Sequence, residues 1–300
     1  MPSRRHPPSD RTTLLLKSRI RTVFRHYPKA VTGDEEAIHQ LRVSGRRLRD
    51  ALPLLARRAR GKRVRRVDRA LKRLIRTAGA GRDLDVMLAL FEAETGKPAA
   101  ARPEVKVLRR RLRGARRRRR RQMAEALLDL DIASLRADLR KIESQNGDAP
   151  AIVLARVAAT RDEQGRALLE AIAQLGDRFQ APALHRIRIR TRRLRYSAEI
   201  DAAVRGGPDQ AASRFKELQE LFGRINDSYL LARWLGDIAT RLERRGEPAL
   251  AAEARRQAAR FIRLSRRCFR ELRSRDFPAL VRAALVRLGR DPGVFRGGVA

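Results

Sequence analysis

Apolar residues recur along most of this chain at spacings of three and four, the period of an α-helix. Leu14, Leu15, Ile20, Val23 and Phe24 predict a first helix from Asp10 towards His26, closed by Pro28 and Gly33. Asp34, Glu35 and Glu36 open a second, suited to the positive end of a helix dipole, with Leu41, Leu48, Leu52 and Leu55 as its apolar stripe. Pro53 is expected to kink that helix or end it early. Gly61 precedes a third period at Val64, Val67, Leu71, Leu74 and Ile75. Gly79-Ala80-Gly81 then predicts a tight turn, with Asp83 capping a separate helix that carries Leu84, Val86, Met87, Leu88 and Leu90. After a loop at Gly96-Lys97-Pro98 and Pro103, a long basic helix runs from Glu104 to about Leu130, followed by a weaker one from Asp131 to Glu143.

The second half repeats the plan. Helices are expected over about Ala151–Leu175 and Pro182–Val204, and from the Gly206-Gly207-Pro208 turn to Phe222. Gly223 predicts another turn, with Asn226 or Asp227 capping a helix to about Arg245. Gly246-Glu247-Pro248 leads into a long helix ending near Asp276, and Pro278 to Leu288 close the pattern. No stretch alternates in the manner of a strand, so the expected class is all-α.

The repetition extends to individual residues. His39, Arg42, Arg46, Arg47, Leu48 and Arg49 recur 146 positions later as His185, Arg188, Arg192, Arg193, Leu194 and Arg195. Leu71, Lys72, Leu74, Gly79, Arg82 and Asp83 align at an offset of 144 with Phe215, Lys216, Leu218, Gly223, Asn226 and Asp227. Similarity over two helices and their connection predicts a tandem duplication of a helical bundle. The expected division is a disordered lead at 1–9, a first repeat at 10–145, a linker at 146–150, a second repeat at 151–285 and a loose end at 286–300. At about 100° per residue, His39, Arg42, Arg46 and Arg49 share one helical stripe beside the leucine stripe. Arg47 and Arg193 point away from the others and suit an interface between the bundles or a second row of anions.

Charge makes that stripe a candidate binding face. The chain carries 71 Lys+Arg against 34 Asp+Glu, a formal net charge of +37. Arginine dominates the cations, and its planar fork of donors matches phosphate oxygens. Polyanions are the natural partners of such a field. Aromatic residues make up 4 % of the chain, so the core must rest on Leu, Ala, Ile and Val. The single Cys268 excludes an internal disulfide and a cysteine-based metal site, and fits a reducing cytoplasm. The basic N-terminus is followed by no apolar stretch, and no apolar run approaches the ~20 residues of a membrane span. The expectation is a cytoplasmic protein with no membrane partner.

The doubled pattern His-x-x-Arg, then Arg-Arg-Leu-Arg, each time followed by a Gly-x-x-(Arg/Asn)-Asp segment, resembles the CHAD family, the conserved histidine α-helical domain. The resemblance covers about residues 10 to 285. It implies two pseudo-symmetric bundles of about four helices each with a basic cavity or groove between them, binding of inorganic polyphosphate, and association with polyphosphate granules. Carried onto this sequence, it implies a ligand face of His39, Arg42, Arg46, Arg49 and Lys72 with His185, Arg188, Arg192, Arg195 and Lys216. Arg47 and Arg193 match the motif as well. Pro53 and Glu199 stand where relatives carry further cations. Many relatives also carry a CYTH-type triphosphatase with a Glu-x-Glu-x-Lys signature. The nearest stretch here, Glu92-Ala93-Glu94-Thr95-Gly96-Lys97, has its lysine one position late.

The leading functional expectation is therefore non-enzymatic binding of inorganic polyphosphate, targeting the chain to granules or organising them, without cofactor or metal. Phosphate, sulfate and nucleic acid are expected to bind non-specifically. The competing expectation is a basic nucleic-acid-binding or nucleoid-associated protein, which the charge alone motivates. Against it stand the lack of a helix-turn-helix signal and the scarcity of aromatic residues for stacking bases. A phosphohydrolase lacks a Walker motif or an HD-type metal cluster. Two Asp and two His could hold a divalent ion, but the surrounding positive field opposes it. Arg116 to Arg121 is expected to be a solvated basic face, and Asp83 and Asp227 to cap helices and orient an arginine.

Overall fold

The structure is a computed structural model that describes residues 11–96, 102–145 and 148–288. The lead at 1–9, most of the end at 286–300 and part of the linker at 146–150 lie outside the described residues. Among these residues there are ten helices and no strand. The first five are α1 (Arg11–Val31), α2 (Glu35–Leu55), α3 (Lys62–Thr95), α4 (Pro103–Leu128) and α5 (Ile132–Ser144). The second five are α6 (Pro150–Leu175), α7 (Ala181–Arg205), α8 (Gln210–Glu243), α9 (Pro248–Arg273) and α10 (Phe277–Arg287). They repeat the first five in order. Each repeat thus holds four long helices and a short fifth, in line with the expected bundles of about four.

Two turns expected from glycines do not form. α3 and α8 each run unbroken for 34 residues, through Gly79-Ala80-Gly81 and through Gly223. The reason is register. Val64, Val67, Leu71, Leu74, Ala78, Gly81, Asp85 and Leu88 are all buried, in alternating steps of three and four, so burial crosses the glycines without a slip. An interior glycine costs only about 1 kcal/mol against alanine, too little to break such a stripe. Gly79 and Gly81 instead permit close approach. A Cβ on Gly79 would sit 3.3 Å from Nε of Arg42, and one on Gly81 would sit 2.8 Å from Sδ of Met123. Asp83 and Asp227 consequently lie inside helices and cap nothing. Pro28 and Pro53 also lie inside α1 and α2, each within the last turn, where few backbone bonds remain to be lost.

True stops are chemically ordinary. Gly33 at φ 87° and Gly206 at φ 70° take the left-handed conformation that glycine tolerates. Asp34 Oδ1 accepts from the Ala37 amide at 2.7 Å and Asp131 Oδ1 from the Ser134 amide at 2.9 Å.

One apolar core runs through both repeats, joining Leu16, Leu41, Leu48 and Leu71 to Ile187, Leu194, Phe215 and Leu272. A second core lies where the far halves of the α3/α4 and α8/α9 hairpins meet, with the Phe91 and Phe261 rings 6.1 Å apart. The repeats also exchange caps. Arg156 of α6 donates to the carbonyls of Leu54 and Ala56 at the end of α2, at 3.1 and 3.2 Å. Arg11 of α1 donates to Val204 O at the end of α7, at 3.5 Å. A cation at a helix C-terminus meets the negative end of the dipole, so each repeat closes the other's motif helix. α2 and α7 pack against each other, as do α3 and α8.

The glycines separate the two roles experimentally. Gly223 lies mid-helix with nothing within 4 Å of an added Cβ, so Gly223→Ala should stabilise the protein by about 0.5–1 kcal/mol in urea denaturation. Gly206→Ala should destabilise it, because φ is positive and the new methyl would meet the Arg11 guanidinium. Destabilisation by Gly223→Ala would show that α8 is broken there.

Candidate functional site

The motif helices α2 and α7 bury their leucine edges, Leu41 and Leu48 with Leu184 and Leu194, in the shared core. Their helical period then fixes where the arginines go. Arg42, Arg46, Arg188 and Arg192 are partly buried and turned towards the contact between the two repeats. Pseudo-two-fold symmetry governs who meets whom. The charge of Arg192 acts on Arg42, and that of Arg188 acts on Arg46, which are the same pairing read from opposite repeats. Burial, then the charges of Arg42 and Arg192, push the Arg46 guanidinium down to about 9. Burial also lowers Arg42 and Arg188. All remain cations at neutral pH, so the cluster stores repulsion.

Carboxylates relieve only part of it. Arg42 donates to Asp83 Oδ1 at 3.2 Å. Arg192 lies 3.8 Å from Asp50 Oδ2. Asp227 acts on both Arg188 and Arg42, and Asp83 on both as well. Burial raises the Asp227 carboxyl, and the charge of Asp83 adds to the rise. Arg46 and Arg188 have no carboxylate within bonding distance among the described residues, and Nε of Arg42, Arg188 and Arg192 is buried without a hydrogen-bond partner.

A second cationic group lies along the same helices. Glu199 of α7 binds Arg47 at 2.9 Å, Arg19 at 3.0 Å and Arg195 at 3.3 Å. Its side chain is only 10 % exposed, so it serves as a buried anion shared by three cations from α1, α2 and α7. Arg47 therefore points at the other repeat. Tyr196, nearly buried, has the guanidiniums of Arg47 and Arg195 each 5.8 Å from its ring centre. Arg19, Arg47, Arg195 and Glu199, with Lys216 and Asp209, line an open cleft of about 330 Å³.

The two histidines differ. Burial, then the charge of Arg82, lower the His39 imidazole below its ordinary value, and its Nδ1 is buried without a partner. His185 is exposed and places Nδ1 3.3 Å from Asn226 Oδ1. Burial accounts for most of the difference, and the neighbour differs too, since Asn226 aligns with Arg82 in the duplication.

Of the residues singled out in the sequence, the structure brings together Arg42, Arg46, Arg188 and Arg192 with His39 beside them, and separately Arg47, Arg195 and Lys216. Arg49 is engaged by Asp68 at 2.7 Å, while Lys72 and Arg193 are exposed. Tyr196, Asp50 and Arg19 were not singled out. Asp50 and Tyr196 occupy equivalent positions 146 apart, yet differ in kind, so repetition did not flag them. The arginine run also divides. Arg116 and Arg120, one helical turn apart, both bind the buried Asp85, at 2.5 and 2.9 Å, and both bind Glu35. Arg117, Arg118, Arg119 and Arg121 stay exposed. Glu92 and Glu94 lie in α3, so the Glu-x-Glu stretch is helical. No group of three or more metal-ligating side chains exists among the described residues.

The comparisons agree with this architecture. A family model described as the CHAD domain matches residues 14–236. The chain belongs to the CHAD family. It is 28 % identical over 239 residues to an uncharacterised protein of Mycobacterium tuberculosis, found in two strains, covering 76 % of this chain. The match takes in 45 % of that protein, so the chain spans about half the length of the curated relatives it matches. The crystal structure of the CHAD domain from the plant Ricinus communis superposes with a TM-score of 0.60 at 23 % identity, over 93 % of this chain and 91 % of that one. That likeness supports the all-α CHAD fold. No helix among the described residues is long and apolar enough to cross a membrane.

Removing the shared anion tests the second group. Glu199→Gln should cost about 3 kcal/mol in urea denaturation, the scale of breaking one partner out of a buried ion pair. Sulfate should restore part of the loss, and a neutral effect would show that the three arginines do not depend on Glu199.

Proposed function

We propose that this CHAD chain binds inorganic polyphosphate without catalysing its reaction, at the cluster where α2 and α7 meet, and that binding targets it to polyphosphate granules or organises them. The CHAD family is associated with polyphosphate. The observation that carries the reading is the pairing of Arg46 and Arg188 across the repeat contact, partly buried and without a carboxylate partner among the described residues. A buried guanidinium left unpaired is costly, and an anion that enters the cluster removes the cost. The ligand must be narrow and densely charged, because the arginines are recessed between helices. A flexible phosphate chain meets both conditions, and it presents no base edges for which the site would need readers. Arg47, Arg195 and Lys216 extend the cationic path along one side. His39, neutral before binding, has a free buried nitrogen to offer.

Asp83, Asp227 and Asp50 act in this reading as internal anions that the ligand displaces. Asp227→Asn should therefore tighten polyphosphate binding by roughly tenfold, about 1.4 kcal/mol, in a titration at fixed salt. Weaker binding would mean that the aspartate positions the arginines rather than competing for them.

Selectivity is tested by competition between long-chain polyphosphate and duplex DNA at equal phosphate concentration. Polyphosphate should win, its affinity should fall steeply with salt, and Arg46→Glu with Arg192→Glu should abolish the preference while leaving helical content intact. Equal binding of DNA, indifferent to both substitutions, would favour the nucleic-acid reading.

Protonation follows the same logic. In the free protein His39 titrates below its ordinary value of 6.5. A phosphate beside the imidazole favours its cation and raises that value, so binding takes up a proton. Affinity should then rise as pH falls through the interval between the free and bound values. Histidine NMR should show the His39 titration move upward on saturation with polyphosphate, and an unmoved His39 would place the ligand elsewhere.

A further inference from the structure

Outside the α2/α7 cluster, one cleft brings aromatic rings beside arginines that have no carboxylate partner among the described residues. In a chain with 4 % aromatic residues, three rings meet at the α6–α7 loop. Phe179 of that loop stands edge-on to Phe269 of α9 at 5.8 Å, and lies 6.3 Å from Tyr229 of α8. Phe269 is buried and forms a floor, while Phe179 is half-buried. The cleft between them has a volume of about 580 Å³ and a mainly apolar lining. That volume lies within the range of small-molecule pockets, roughly 300–1,000 Å³.

The rim is cationic. Arg263, Arg266 and Arg270 line the cleft from consecutive turns of α9 and are exposed. None has a carboxylate partner among the described residues, whereas Arg256, Arg260 and Arg267 on the same helix are all paired. Arg273 closes one end, donating to Gly176 O at 3.1 Å and binding Asp177. The arrangement belongs to the second repeat alone. The position aligned with Phe179 at the motif offset is Gly33, and the one aligned with Tyr229 is Asp85.

We propose that this cleft binds a nucleoside triphosphate, with the base against Phe179 over the Phe269 floor and the phosphates on Arg263, Arg266 and Arg270. An apolar floor accepts a flat ring, and the forked donors beside it accept phosphate oxygens. Inorganic polyphosphate would use the rim only, having nothing to place against the rings. The site thus differs from the α2/α7 region, where the arginines beside the buried Tyr196 ring, Arg47 and Arg195, are tied to Glu199.

The test is displacement of a fluorescent adenosine triphosphate derivative from the full chain, by adenosine triphosphate or by inorganic triphosphate. Adenosine triphosphate should displace it about tenfold better, the scale of one base stacked on one aromatic side chain. Phe179→Ala should remove that preference, and the surface double variant Arg266→Gln/Arg270→Gln should weaken the nucleotide without affecting folding. Arg46→Glu with Arg192→Glu, which tests the other cluster, should leave the preference in place. Equal displacement by the two compounds, or a preference retained in both cleft variants, would overturn the proposal.

Discussion

The structure depends on a repulsion placed deliberately at its centre. Two helices related by an internal duplication turn arginines towards each other, and a two-fold contact repeats each such arginine pair from the opposite repeat. Arg42 faces the charge of Arg192, and Arg188 faces that of Arg46. Burial raises the cost of each charge, since the helices exclude the water that would otherwise screen it. Such a cluster persists only where the surrounding structure holds it in place.

Three devices supply that hold. The leucine edges of α2 and α7 enter one core that includes residues of both repeats, so the helices cannot separate to relieve the strain without exposing apolar surface. The far ends of α3/α4 and α8/α9 meet in a second core. Carboxylates placed one layer back, Asp83, Asp227 and Asp50, take up part of the charge while leaving Arg46 and Arg188 open. The neighbouring Glu199, by contrast, engages three guanidiniums at once and so fixes the interface. The molecule thereby separates arginines that tie the repeats together from arginines that remain available.

Much of this was legible in the amino-acid order. The helical period, the duplication and the stripe containing Arg42 and Arg46 all follow from spacing, and the divergence of Arg47 follows from its helical angle. The failures are informative. Gly79, Gly81 and Gly223 read as turns because glycine favours them, yet the buried register of α3 and α8 passes straight through. Here a long-range packing pattern outweighed a local preference of about 1 kcal/mol. Asp50, Tyr196 and Arg19 escaped notice for another reason. Their roles depend on partners far away in the chain, and no periodicity records a contact between repeats. The unequal surroundings of His39 and His185 were equally hidden, because they rest on unequal burial and on the exchange of Arg82 for Asn226.

The central claim is that the two motif helices form one site, and stoichiometry tests it most directly. Calorimetric titration of the protein with a short polyphosphate should give one ligand per chain, and reversal in either repeat alone, Arg46→Glu or Arg192→Glu, should abolish binding. Two equivalents per chain, with each single reversal removing just one of them, would contradict the account and make each repeat an independent binding unit.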